Sequence, residues 1–172
     1  FRRVLFRSAL ALAPPMLAVA WLHARYPRLG ALMASGALAT FDDTAWHAFR
    51  QAAGVFGAAA GTLLLLALGA PYVVPFRAGG VLSVPILAAL LVGSFVLVAM
   101  QAMLAWFRAF VDETFAMPAV VGCGAMATGG VCGAAVGGAA GAAAAYAMAG
   151  VLVAVILGVG FLRLRAQRLA GR

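Results

Sequence analysis

The sequence predicts an all-α, polytopic transmembrane helix bundle, and three observations carry that prediction. The chain is 66% hydrophobic and only 9% charged, with a mean hydropathy of +1.10. That is too little charge to coat an aqueous surface. The run 114–162 contains no Asp, Glu, Lys or Arg and is rich in glycine. One bilayer crossing takes roughly 20 apolar residues, so this run is long enough for two crossings and a tight turn. Finally, the 12 basic residues are all arginine and fall between apolar runs, giving a net charge of +8. They form no basic patch interleaved with polar residues, so no nucleic-acid partner is expected, and their use is to orient the chain in a lipid bilayer.

Residues 1–8 resemble translated sequencing-adapter read-through and read as a non-native end, so no argument rests on their arginines. Nothing like a cleavable signal peptide follows them. Residues 9–22 read as a truncated transmembrane helix, with Pro14 and Pro15 at a kink or entry point. The stretch 23–50 holds Arg25, Arg28, Asp42, Asp43, His47 and Arg50 and reads as a cytoplasmic loop. In it Asp42, Asp43 and Thr44 form an expected N-cap cluster. Trp46, Phe49, Ala53 and Phe56 share a helical face there, the pattern of an interfacial turn that leads into a span.

Full spans are expected at about 51–74 and 82–107, separated by Pro71, Pro75, Arg77, Gly79 and Gly80. Pro85 sits in a first helical turn, where its missing amide is harmless. After a short charged connector with Arg108, Asp112 and Glu113, the glycine-rich run supplies spans at 114–136 and 141–162.

Crossing at every segment places Arg25, Arg28, Arg50, Arg108, Arg163, Arg165, Arg168 and Arg172 on one side and Arg77 alone on the other. By the positive-inside rule the arginine-rich side and the C-terminus are cytoplasmic, as in a multi-pass protein of a bacterial inner membrane. Trp21, Trp46 and Trp106 fall near that face.

Chemistry-bearing residues are scarce. The four full spans contain no Asp, Glu, His or Lys, the groups that intramembrane catalysis or proton relay retains despite their cost. No enzyme activity, cofactor or metal is expected. The two acidic pairs suit helix ends, and Cys123 and Cys132 suit packing as small hydrophobes. Gln101 is the candidate for lining a hydrated cavity, and otherwise it packs between helices.

The glycines say more. Gly129, Gly133, Gly137 and Gly141 recur every four residues, but one continuous helix through 114–162 would overrun any bilayer. Gly129 and Gly133 are therefore expected to pack helices closely, and Gly137, Gly138 and Gly141 to make the hairpin turn. Gly57 with Gly61, and Gly150 with Gly158, are further small-residue faces expected at helix contacts.

The order of features resembles the C-terminal part of the multidrug/oligosaccharidyl-lipid/polysaccharide (MOP) flippase superfamily, and within it the Pel exopolysaccharide export membrane proteins. The stretches that carry the likeness are Pro-Met-Leu-Ala-Val-Ala at 15–20, Tyr-Pro-Arg-Leu-Gly-Ala-Leu at 26–32 and Gly-Ala-Leu-Ala-Thr at 36–40. Ala-Phe-Arg at 48–50, Leu-Gly-Ala-Pro at 68–71, Met-Leu-Ala-Trp-Phe-Arg at 103–108, the glycine hairpin and Phe-Leu-Arg-Leu-Arg at 161–165 continue it. The resemblance implies that residues 9–172 are most of the second of two pseudo-symmetric lobes, which export a polysaccharide or flip a lipid-linked sugar by alternating access. It implies as partners an N-terminal half of the same protein, a glycosyltransferase and a cyclic-di-GMP-sensing membrane protein. The alternative is a membrane scaffold or assembly subunit that holds partners without transporting.

Overall fold

The computed structural model describes residues 2–73, 83–110 and 116–170, with side chains over 12–69, 83–110 and 116–167. The described residues contain helices and no strand: α1 (Arg2–His23), α2 (Tyr26–Ala34), α3 (Leu38–Val73), α4 (Val84–Ala109) and α5 (Ala116–Ala170). Among them three stretches are long and apolar enough to cross a membrane, Leu38–Gly69, Val84–Ala109 and Ala116–Gln167.

The last of these is two arms. Helical geometry fails at Gly137 (φ −130°, ψ 18°) and Gly138 (φ 59°, ψ −142°), and the chain doubles back. A left-handed φ costs an L-residue about 1–2 kcal/mol and glycine almost nothing, so Gly138 is where the turn closes. The returning arm then packs on the outgoing one. A methyl on Gly129 would stand 3.3 Å from the Ala149 Cβ, and one on Gly122 2.8 Å from the Val153 Cγ1. At Gly133 a methyl would come within 2.6 Å of the Ala145 Cβ and overlap the Gly141 carbonyl oxygen. Gly141 is helical and serves this contact, whereas the sequence reading put it in the turn. The turn needs only two residues because Gly137 and Gly138 absorb the whole reversal.

α4 is the post around which the rest is arranged. It packs on α1, α3 and α5, and its span is the most enclosed of the three. Gly93 makes room for the Tyr146 ring, whose hydroxyl bonds to the buried Ser94. A methyl on Gly150 would lie 3.3 Å from the Gly93 Cα, so α4 and the returning arm meet backbone to backbone there. Without a hydrophobic drive inside lipid, such close dispersion contact is what holds apolar helices together. Gly57, Gly61 and Gly158 differ from this pattern: a methyl on any of them meets nothing within 4 Å. None of the three is at a close helix contact among the described residues.

The stretch 23–50, read as a loop, is helical almost throughout. α2 ends in a Schellman motif: Gly36 takes φ 73°, its N–H donates to the Met33 carbonyl at 3.0 Å, and Ala37 donates to Leu32 at 3.2 Å. α3 restarts at Leu38, so Asp42, Asp43 and Thr44 lie beyond its first turn and cap nothing. The polar character of this stretch signalled an interface, and the glycine that lets two helices meet at a corner was the feature to weigh. Within α3, the Thr62 hydroxyl donates to the Ala58 carbonyl at 2.8 Å, the local satisfaction expected of a polar residue in a span.

Large apolar side chains cover the outside. Leu65, Leu66, Val131 and Val136 are exposed, Val136 at 93%. Cys123 and Cys132 are free thiols on this outer surface and not packed inside, as their small size had suggested.

Candidate functional site

α3 and α5 both lean on α4 but pack very little on each other. A groove is left between them with α4 as its floor. Towards the end where α3 begins, it forms a cavity of about 180 Å³ walled by Trp46 and Phe49 of α3 and by Gly158 and Leu162 of α5, over Ala99 and Ala102. Further along the same three helices it reopens as a cavity of about 600 Å³ between Ala60 and Leu64 of α3 and Val151 and Val155 of α5, over Ala88 and Val92. From Asp42 to Leu64 the α3 wall is long enough, at 1.5 Å per residue, to match the roughly 30 Å of a bilayer's hydrocarbon. The lining is apolar throughout, except at one end.

That end is closed by an ion pair. The Arg165 Nε donates to the Asp42 Oδ1 at 2.8 Å, and its Nη2 donates to Oδ2 in a second, parallel bond. The Trp106 Nε1 donates to the same Oδ1 at 3.0 Å. One carboxylate on α3 thus receives α4 and α5 together. A bidentate, charge-assisted pair is the strong form of this interaction, and it fixes geometry as well as energy. Its apolar footing is an aromatic cluster. Trp106 is 3% exposed and stands edge-on to Phe107 at 5.2 Å and to Phe161 at 5.6 Å. Phe41 joins from α3, its ring 6.1 Å from that of Trp106. The guanidinium groups of Arg50 and Arg165 each lie 5.8 Å from the Trp46 ring.

The other orientation arginines gather at the same end. Arg25 donates to the Gln51 Oε1 at 3.3 Å. Arg108 is near enough to Tyr26 to oppose the effect of burial, which raises that phenol above its ordinary value. Arg28 lies in α2, and Arg163 lies two residues before the ion-paired Arg165 in α5. The Arg168 side chain, Arg77, Arg172, Asp112 and Glu113 fall outside the described residues.

Of the expected site residues, Gly158 lines the groove, where it was expected to pack a helix. Gln101 does not line it. It is half-buried, while Ala99, Ala102 and Met103 present themselves to the cavity from the same turns of α4. Asp42 and Trp106 were read only as a cap and an interfacial indole. The signal that could have found their pairing is an acidic pair, Asp42 and Asp43, at the end where arginines from four segments converge. No protein-family profile, curated protein or solved structure matches the chain.

Proposed function

We propose that this chain is part of an integral membrane transporter that flips a lipid-linked sugar or exports polysaccharide across the bacterial inner membrane, with its arginine-rich end and C-terminus cytoplasmic. On this reading α3, α4 and the two arms of α5 are four full crossings and α1 belongs to a fifth. The observation that carries the reading is the groove. It opens as two successive cavities along the same three helices, is apolar enough to hold a lipid tail, and is latched at one end by an ion pair. A lipid-linked sugar needs a trench of that kind for its tail, while the sugar travels in a polar path completed by the rest of a transporter. The resemblance to MOP-type flippases supplies the substrate class, together with a glycosyltransferase and a cyclic-di-GMP-sensing protein as partners. Gathering of the arginines at one end supports the orientation.

A scaffold is the second reading. What favours it is Gly57 and Gly61, a small-residue face of α3 that none of the described residues covers.

The two separate in sealed vesicles made with the protein in its native membrane, using a fluorescent lipid-linked sugar. Gly158→Leu fills the groove without touching the helix contacts and is expected to slow flipping about tenfold, the scale of an overpacking cost. Leu65→Phe, on the outer surface, leaves the rate unchanged. Flipping that is absent, or indifferent to Gly158→Leu, contradicts transport through this groove.

A further inference from the structure

A second cavity lies at the same end of the bundle, in the corner where α1 stops, α2 crosses and α3 begins. It measures about 300 Å³ and is lined by Arg25, Arg28, Asp43, Thr44, His47 and Gln51. Unlike the groove, it is polar, and its walls are held in place. The Gln51 amide donates to the His47 Nε2 at 3.0 Å. Its oxygen receives the Arg25 guanidinium at 3.3 Å and the Trp21 indole N–H at 3.4 Å, and Arg25 also stacks over the Trp21 ring at 5.3 Å. Among the described residues, Arg25 therefore keeps most of its five N–H donors free of protein partners. Arg28 and Asp43 are both exposed, and neither takes part in an ion pair among the described residues.

Two guanidinium groups in one cavity are a receptor for a phosphate. A carboxylate in the same cavity would repel a second anionic group but would accept from an ammonium. Leu17, Trp21 and Arg25 follow one another at four-residue spacing, so an exposed apolar strip leads from the cavity down α1. Trp21 lies where an indole marks the headgroup level of a bilayer.

We infer that this corner is a binding site for a phospholipid with a phosphoethanolamine headgroup, its phosphate on Arg25 and Arg28 and its ammonium on Asp43, with an acyl chain lying along Leu17 and Trp21. The site is independent of how the groove is used. It would tie the interfacial helix α2 to the bilayer surface at a fixed depth.

The test uses the full chain in a mild detergent, titrated with short-chain phosphatidylethanolamine, phosphatidylcholine and phosphatidylglycerol and with inorganic phosphate. Bound lipid is read by native mass spectrometry. Phosphatidylethanolamine is expected to bind about tenfold more tightly than phosphatidylcholine, whose methylated nitrogen cannot donate to Asp43. Asp43→Asn should erase that preference. Arg28→Gln should weaken both lipids about tenfold, the cost of one charged hydrogen bond, while Arg163→Gln on α5 changes neither. Equal binding of the ethanolamine and choline lipids, tighter binding of the glycerol lipid, displacement of lipid by equimolar phosphate, or an Arg28→Gln variant that binds normally would each overturn the site. Because Arg28 and Asp43 are exposed, these variants leave the fold intact, which their helical circular dichroism checks.

Discussion

The two sides of α4 and α5 are built from the same residues and end up as opposites. On one side Gly93, Gly122, Gly129, Gly133, Gly141 and Gly150 draw α4 and the two arms of α5 into backbone contact. On the other, Ala99, Ala102 and Gly158 line a groove that stays open. Small side chains permit close approach but do not compel it. What compels it here is the tether: a turn at Gly137 and Gly138 leaves the two arms no freedom to separate. α3 and α5 have no such tether, and among the described residues they meet where Asp42 and Trp46 reach Arg165. One side is closed by chain connectivity and the other by a latch.

That contrast can be broken from the closed side first. Gly133→Leu would drive a side chain into the Gly141 carbonyl and the Ala145 Cβ, and should destabilise the protein by about 3 kcal/mol or prevent the hairpin from forming. Thermal unfolding in detergent reads this as a large drop in midpoint or as loss of the folded species. A near-normal midpoint would mean that the arms are not in contact.

The latch should give the next largest effect. Asp42→Asn removes the charge that Arg165 and Trp106 share and is expected to cost about 1–3 kcal/mol, as for other hydrogen bonds to a charged group. Both partners keep some solvent contact, which places the value toward the lower end. A cycle of Asp42→Asn, Arg165→Gln and the double variant should give a coupling of about 1–2 kcal/mol, whereas strict additivity would sink the pairing.

The smallest effect belongs to Gly57→Ala. With nothing near the new methyl and alanine the better helix former, stability should hold or rise by up to about 1 kcal/mol. A loss comparable to that of Gly133→Leu would mean that the Gly57 face has a partner in the purified protein.

These differences also mark what could be read from the chain. The hairpin was legible because length forces it: no helix of 55 residues fits a bilayer, and only 137–141 offers the residues for a reversal. The clustering of the arginines at one end was legible as a count of sides. By contrast, Gly57 and Gly61 look the same in sequence as Gly129 and Gly133, and only tethering separates a contact from an open face. Asp42 and Arg165 are 123 positions apart, and no local pattern joins them. The 23–50 stretch misled for a different reason. It was read as a loop with a helix start capped at Asp42 to Thr44, whereas it holds α2 and an α3 that already begins at Leu38, with Gly36 at the corner between them.

The central claim is that α5 crosses, turns at Gly137 and Gly138, and returns to the arginine-rich side. Cysteine labelling tests it directly. In a background with Cys123→Ala and Cys132→Ala, single cysteines are placed as Arg28→Cys, Gly137→Cys and Arg163→Cys; Gly137 tolerates the change because its φ is negative and nothing lies within 4 Å of a new Cβ. A membrane-impermeant maleimide applied to sealed vesicles before and after lysis should label positions 28 and 163 together from one side and position 137 from the other. Labelling of 137 and 163 from the same side would contradict the hairpin and every conclusion built on it.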